Sequence, residues 1–145
     1  MQLKNARILL TGASGGLGQA LAKQLAATGA KVLLAGRDTA KLAEVTHAMG
    51  AGHSSVCADL NRPEGIAAAA GAAREFKINV LINNAGIGGF GLYERQDWED
   101  VDALLATNLT APMRLTHALL SWLQAQPQAA IVNIGSTFGS IPFAG

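Results

Sequence analysis

The stretch Thr11-Gly12-Ala13-Ser14-Gly15-Gly16-Leu17-Gly18 decides the fold, because it lies between an apolar run and a helical pattern. The run before it, residues 6–10, is nearly all apolar and predicts a buried strand. After the glycines, Leu17, Leu21 and Leu25 are spaced four apart, which is typical of one face of a helix. The glycines are therefore predicted to form a strand-to-helix turn.

A glycine-rich turn at the start of a helix suits an anionic ligand. Without Cβ atoms, the backbone N–H groups can approach a pyrophosphate closely, and the positive end of the helix dipole points at the phosphates. We expect Gly12 to make the tight turn, Gly16 to allow the close approach and Gly18 to pack the helix on the strand. The alternative is a glycine-rich connection without a ligand, but the strand–turn–helix context favours a binding turn.

The composition excludes several classes of protein. The chain has 145 residues, and 50% of them are hydrophobic, which suffices for the core of one domain. The net charge is +1 and the Lys and Arg residues are scattered, so we expect no nucleic-acid partner. Because no apolar run resembles a signal-peptide core or a membrane span, we expect a cytoplasmic protein without a membrane partner.

The few cysteines and histidines predict no metal site. The single cysteine, Cys57, excludes an internal disulfide, and its apolar surroundings predict a buried, unreactive thiol. His47, His53 and His117 lack the spacing of metal ligands, so we expect ordinary histidines.

Strand and helix patterns alternate along the chain. Further strands are predicted at residues 31–35, 53–58, 80–82 and 129–134, and helices at about residues 40–49, 63–76 and 97–126. Five strands separated by helices predict an α/β fold with a doubly wound parallel sheet. Because the strands are nearly all apolar, we expect helices to bury both faces of the sheet.

Glycine-rich or polar clusters follow each predicted strand. They lie at residues 11–18, 36–38, 59–60, 83–86 and 135–139. Ligands of such sheets bind beyond the carboxyl ends of the strands. The clusters therefore predict one shared cleft.

The residues after the second strand favour NADP over NAD. An acidic residue there would bind the ribose hydroxyls and repel a 2′-phosphate, but the sequence has Gly36 and then Arg37. A guanidinium can form a forked contact with a phosphate, and Ser14 can add a hydroxyl. A solvated loop cation is the alternative for Arg37. Asp38 would favour NAD if it turned inward, but we expect it to cap the next helix.

Two more clusters complete the candidate cofactor site. The Asp59 carboxylate can accept a bond from an adenine amino group or cap the following turn, and both roles stay open. The amides after the fourth strand can tie strands together, a structural role that suits Asn83, while Gly86 can approach a ribose. The candidate cofactor-binding residues are Gly12, Ser14, Gly15, Gly16, Leu17, Gly18, Arg37, Asp59, Leu60, Asn84, Ala85 and Gly86.

These motifs together resemble the short-chain dehydrogenase/reductase family over the whole chain. The resemblance rests on the glycine stretch, Asp59, Asn-Asn-Ala-Gly at 83–86, Asn108 in Thr-Asn-Leu-Thr and Ile-Val-Asn-Ile-Gly-Ser at 131–136. The Asn-Asn-Ala-Gly run at 83–86 is similar to that of the family's single-domain, 3-oxoacyl-reductase-like branch. The resemblance implies a Rossmann fold and hydride transfer between NAD(P)H and a small-molecule carbonyl or alcohol. It also implies catalytic roles for Ser136 and Asn108.

Asn108 has a physical feature of its own. Pro112 lies four residues later and has no N–H, so the Asn108 carbonyl loses its helical partner and the helix is expected to kink. We expect the freed oxygen to hold a water in a proton relay. A regular, unkinked helix would contradict this hypothesis.

The family resemblance implies a Tyr-x-x-x-Lys motif that these residues do not contain. The single tyrosine, Tyr93, is followed four residues later by Asp97, and the last lysine is Lys77. A tyrosine with its ordinary pKa of about 10 is a poor base at neutral pH without a neighbouring ammonium group. We therefore expect one incomplete domain, truncated after the fifth strand and inactive alone. A non-catalytic NADP-binding module or partner subunit is the alternative.

The predicted helix at residues 97–126 is strongly apolar. In members of the family this helix and a later one usually pair across a dimer interface. These residues do not contain the later helix, so either an unusual association or an exposed apolar surface is expected. An exposed apolar helix face favours association. We therefore expect a homo-oligomer formed through this helix.

Overall fold

Five strands and five α-helices alternate along residues 2–89 and 91–139, which are the residues that the computed structural model describes. The strands are β1 (Arg7–Thr11), β2 (Lys31–Gly36), β3 (Ser54–Cys57), β4 (Val80–Asn83) and β5 (Ala130–Asn133). The helices are α1 (Gly16–Ala27), α2 (Thr39–Met49), α3 (Pro63–Glu75), α4 (Trp98–Leu105) and α5 (Ala111–Gln124). A π-helical turn, Ala106–Thr110, joins α4 to α5, and 3₁₀ turns lie at Tyr93–Arg95 and Thr137–Gly139.

The strands form a single parallel sheet in the order β3-β2-β1-β4-β5. The chain winds outward from β1 in one direction to β3, then crosses back to β4 and continues to β5. The predicted doubly wound α/β fold is thus confirmed. A sheet of this order has a crevice at its carboxyl edge between β1 and β4, where the winding reverses.

The hydrophobic core lies on both faces of the sheet, because successive side chains of a strand point to opposite sides. Leu9 packs on one face with α3 and α5. Ile8 and Leu10 pack on the other face with α1 and α2. The central strands are therefore held from both sides.

The two edge strands depart from the expectation of full burial. Residues 131–133 of β5 are exposed, and Cys57 at the end of β3 is exposed as well. The prediction of a buried Cys57 was wrong, because β3 has a neighbouring strand on one side only among the described residues. The Cys57 thiol donates to the Arg37 carbonyl oxygen, with 3.6 Å between sulfur and oxygen.

The predicted helix at residues 97–126 is interrupted where Pro112 led us to expect a kink. The interruption is a π-helical turn, in which the Ala111 N–H donates to the Ala106 carbonyl, five residues earlier. A proline near the start of α5 has no N–H to offer the preceding turn, and a π turn is one of the few causes of helix distortion.

Spanning a bilayer takes a long apolar helix, and none of the helices within the described ranges meets that requirement.

Candidate functional site

A cavity of about 380 Å³ opens at the carboxyl edge of the sheet, above the crevice between β1 and β4. Its volume lies in the range that suits a small-molecule ligand, about 300–1,000 Å³. All twelve candidate cofactor-binding residues line it, as do five others that the sequence did not single out as ligands: Gly36, Ala58, Asn61, Ile87 and Thr107.

Three of the four glycines in the first turn have different surroundings. Gly12 has a φ of +65°, and a Cβ atom there would lie 2.7 Å from the Ala85 Cα atom. A Cβ atom on Gly18 would overlap the Gly12 carbonyl oxygen. Gly16, in contrast, has nothing within 4 Å of its Cβ position. The fold therefore needs Gly12 and Gly18, whereas Gly16 leaves open space beside the cavity.

The N-terminus of α1 is suited to a phosphate. No side chain in the described part of the chain caps it, and its first turn has no acidic residue. Gly15, the N-cap residue, and Gly16 both line the cavity. The backbone N–H groups and the positive end of the helix dipole therefore lie where an anion can reach them.

The Thr11 hydroxyl joins the ends of β1 and β4. It accepts hydrogen bonds from the N–H groups of Asn84 and Ala85, both at 3.0 Å, and donates to the Ile82 carbonyl at 3.4 Å. The side-chain nitrogen of Asn84 in turn donates to the Thr11 carbonyl at 2.9 Å. Thr11 is 1% exposed, so these bonds are shielded from water and fix the cavity floor.

Asn83 has the structural role that the sequence suggested. Its side-chain amide donates to Asn133 Oδ1 at 2.9 Å and to Thr116 Oγ1 at 3.3 Å. These bonds tie β4 to β5 and to α5.

Arg37 and Asp38 point to different surroundings. Arg37 lines the cavity next to Gly36, whose Cβ position lies 3.0 Å from Ser14 Oγ. Asp38 caps α2, as expected: its carboxylate accepts from the Lys41 N–H at 3.0 Å and lies 3.4 Å from Lys41 Nζ. The Lys41 N–H lowers the pKa of Asp38 below its ordinary value.

Asp59 lines the cavity and also holds the turn that follows β3. Its carboxylate accepts from the Asn61 N–H at 3.1 Å and forms an ion pair with Arg62 at 3.5 Å. A Cβ atom on Gly65 would overlap the Asp59 backbone, so this glycine lets α3 begin directly against it. The capping role left open by the sequence is therefore present, and the carboxylate still borders the cavity.

Asn108 lies next to the cavity and contacts Ile87, one of the residues that line it. Its side-chain nitrogen donates to the Ile87 carbonyl at 2.8 Å, and the Ile87 N–H donates to Asn108 Oδ1 at 2.9 Å. The Cβ position of Gly86 lies 3.3 Å from the same oxygen. The side chain of Asn108 therefore positions the loop after β4, a role that no feature of the sequence indicated.

Ser136 lies three residues beyond the end of β5, at the same edge of the sheet. Its carbonyl accepts from the Gly139 N–H at 3.2 Å. Among the described residues, those that line the cavity do not include Ser136. The structure thus brings the cofactor candidates together and places Ser136 at the same edge of the sheet, outside the cavity lining.

Known proteins share this sequence and architecture. The family model of the short chain dehydrogenases matches residues 6–145. The 3-oxoacyl-[acyl-carrier-protein] reductase FabG of Vibrio cholerae is 34% identical over 147 residues, which cover 100% of this chain and 60% of the reductase.

Solved structures agree with this match. A metagenomic short-chain oxidoreductase in complex with NADP is 37% identical, with a TM-score of 0.89, over 99% of this chain and 68% of that one. The 3-ketoacyl-(acyl-carrier-protein) reductase of Brucella melitensis complexed with NADH is 32% identical, with a TM-score of 0.89, over 94% of this chain and 59% of that one. This chain thus spans about 60% of the length of the curated reductase that it matches, and it belongs to the short-chain dehydrogenase family.

Proposed function

We propose that this chain forms the NADP(H)-binding part of an oxidoreductase that acts on a carbonyl or alcohol substrate. The observation that carries the preference for NADP is the arrangement after β2: Arg37 lines the cavity while Asp38 caps α2. A cation at this point suits a 2′-phosphate, and an inward carboxylate would have repelled it. The metagenomic relative binds NADP and the Brucella relative binds NADH, so the family offers both choices.

The residues that line the cavity divide along the length of a dinucleotide. The turn at residues 12–18 would hold the pyrophosphate, because the start of α1 and the space beside Gly16 receive phosphate oxygens. Arg37 and Ser14 would hold the 2′-phosphate, and Asp59 with Leu60 would border the adenine. Residues 84–86 would border the nicotinamide ribose. When bound, the cofactor supplies or accepts the hydride.

The chain also offers groups for the substrate side. We propose that the Ser136 hydroxyl donates a hydrogen bond to the substrate oxygen. The Asn108 carbonyl, in the π-helical turn, would hold a water of a proton relay. A π turn is frequent at functional sites, since it re-aims backbone groups.

A non-catalytic NADP-binding module is the second candidate function. Within these 145 residues the single tyrosine, Tyr93, is 68% exposed in a 3₁₀ turn and has no lysine four residues later, so they supply no Tyr-x-x-x-Lys motif of their own. We expect these 145 residues alone to bind NADPH without turning over a carbonyl substrate.

Self-association and a cytoplasmic location belong to the same proposal. Leu105, Leu109, Met113 and Leu120 are 41–64% exposed and follow one another along α4, the π turn and α5. We propose that this apolar stripe joins two copies of the chain. The exposed Cys57 thiol suits a reducing compartment.

The test is a fluorescence titration of the chain with NADPH and with NADH. We expect tighter binding of NADPH, and Arg37→Ala should weaken NADPH binding by about 10- to 100-fold while leaving NADH binding unchanged. Lys23→Ala, which removes an exposed cation of α1, is the control. Equal affinities for the two nucleotides would contradict the NADP preference. Oxidation of NADPH by a carbonyl substrate, measured on a longer form of the protein that carries a Tyr-x-x-x-Lys motif, would decide for the enzyme over the binding module.

A further inference from the structure

One polar contact at the cavity has no part in the function proposed above. The Asn61 side-chain nitrogen donates to the Thr107 hydroxyl oxygen at 2.9 Å, and that hydroxyl lies 3.2 Å from Asn61 Oδ1. Both residues line the cavity, and they are 46 residues apart in the sequence. The contact therefore joins two separate walls of the cavity.

The first wall is residues 58–61, which follow β3 and which we call the adenosine wall. Asn61 is bound into it through its own N–H, which donates to Asp59 Oδ1 at 3.1 Å. Gly65 lets the start of α3 press against the Asp59 backbone from behind. Asn61 is therefore joined to the Asp59 carboxylate by a hydrogen bond.

The second wall is the π-helical turn, Ala106–Thr110. Two consecutive residues of this turn reach in different directions: Thr107 contacts Asn61, while Asn108 holds the Ile87 backbone by two hydrogen bonds. The turn thereby connects the loop after β3 to the loop after β4. Residues of both loops line the cavity.

We infer that Asn61 and Thr107 are a positioning pair, whose hydrogen bonds fix the adenosine wall for the adenosine half of the cofactor. This inference rests on the proposed function, because it needs a dinucleotide in the cavity. Neither residue is catalytic. Asn61 is exposed and Thr107 half-buried, so the pair is worth the modest free energy of a solvated hydrogen bond until a ligand covers it.

The test measures affinities of the chain for NADPH and for adenosine 2′,5′-bisphosphate, which carries the adenosine end alone. Thr107→Val keeps the shape and removes the hydroxyl, and Asn61→Ala removes its partner. We expect each variant to weaken both ligands by the same factor, about three- to tenfold. The double variant should be no weaker than either single one, because both remove the same contact.

Two controls separate positioning from general destabilisation. Thr107→Ser keeps the hydroxyl and should restore both affinities to within about twofold of the original chain. Thr28→Val removes an exposed threonine hydroxyl, which donates to the Leu25 carbonyl at 2.7 Å far from the cavity, and should leave both affinities unchanged. The melting temperatures of Thr107→Val and Thr28→Val should differ from the original chain by similar amounts.

The outcomes distinguish the two proposals. If the unaltered chain binds no NADPH, the proposed function fails and this inference fails with it. If it binds NADPH but Thr107→Val binds equally well, the positioning pair alone is overturned. The pair is also overturned if the two single effects multiply in the double variant, or if Thr107→Ser binds as weakly as Thr107→Val.

Discussion

The Asn108 side chain forms two hydrogen bonds with the backbone of Ile87: its nitrogen donates to the Ile87 carbonyl at 2.8 Å, and its oxygen accepts from the Ile87 N–H at 2.9 Å. An asparagine is suited to this pairing, because its side-chain amide, like a peptide group, carries a donor and an acceptor in one plane. The loop after β4 is thus bound to the π-helical turn. The side chain that the family resemblance marked as catalytic therefore also shapes the cavity.

Replacing Asn108 should loosen the loop after β4 and have little effect on the rest of the fold. Asn108→Leu keeps the size of the side chain and removes both hydrogen bonds. Since the site is exposed, we expect a loss of about 1 kcal/mol and a fall in Tm of about 2–4 °C. The measurement is hydrogen exchange of the Ile87 amide, which should become faster than in the original chain.

The matched control for Asn108→Leu is Gln124→Leu, which replaces an exposed amide at the end of α5. It should leave the exchange rate of the Ile87 amide unchanged. An Ile87 amide that exchanges at the same rate in Asn108→Leu as in the original chain would show that the two hydrogen bonds do not hold the loop.

Two glycines of the first turn should respond to alanine in opposite ways. Gly12→Ala places a Cβ atom 2.7 Å from Ala85 Cα at a φ of +65°, and we expect it to cost about 1–3 kcal/mol of stability. In Gly16→Ala the new methyl group meets open space in the first turn of α1, so the free energy of unfolding should be unchanged or slightly raised. Urea unfolding measures both stabilities.

NADPH binding supplies the second measurement on the same pair. Gly16→Ala should weaken NADPH binding despite its intact fold, because the new methyl group occupies the space proposed for the pyrophosphate. Unchanged NADPH affinity in Gly16→Ala would contradict the placement of the phosphates at this turn.

The exposed stripe on the long helix should govern self-association. Met113 is 64% exposed and also borders an apolar groove with Ile66. In a pair of copies, Met113→Glu would lose the burial of one methionine per chain, about 1.5–3 kcal/mol each. We expect sedimentation to show dimers or larger species for the original chain and monomers for Met113→Glu.

Ser121→Glu adds the same charge to an exposed polar position of α5 and should leave the association intact. An original chain that sediments as a monomer at all concentrations would contradict self-association through the stripe.

The local features of this fold could be predicted from the sequence because they depend on neighbouring residues. The strand–turn–helix at residues 6–27 and the Asp38 cap follow from spacing and from side chains three residues apart. The sequence also indicated where the long helix is interrupted, since Pro112 removes an N–H. It did not indicate the form of the interruption, because both a kink and a π turn can accommodate a helix position that lacks an N–H donor.

The features that depend on tertiary contacts could not be predicted in this way. The exposure of Cys57 follows from the position of β3 at the edge of the sheet, which its own residues do not determine. The Asn61–Thr107 contact joins residues that are 46 apart, and no spacing rule relates them. Gly65 has the same explanation: its need for a missing Cβ atom arises only once α3 packs against Asp59.

The pH dependence of stability should reveal a hydrogen bond beside β2. The Val32 N–H donates to His53 Nδ1 at 3.2 Å, so the bond requires the neutral imidazole at this nitrogen. Burial, with a smaller contribution from the Lys31 charge, lowers the pKa of His53 below its ordinary value of 6.5. The unfolded chain therefore binds this proton first as the pH falls, and the stabilisation is complete above pH 6.5 and is lost below it. His53→Asn places an uncharged acceptor near the same position. We expect urea unfolding to show that the original chain loses more stability than His53→Asn between pH 7.5 and pH 5.5, whereas equal losses would show that His53 does not couple folding to pH.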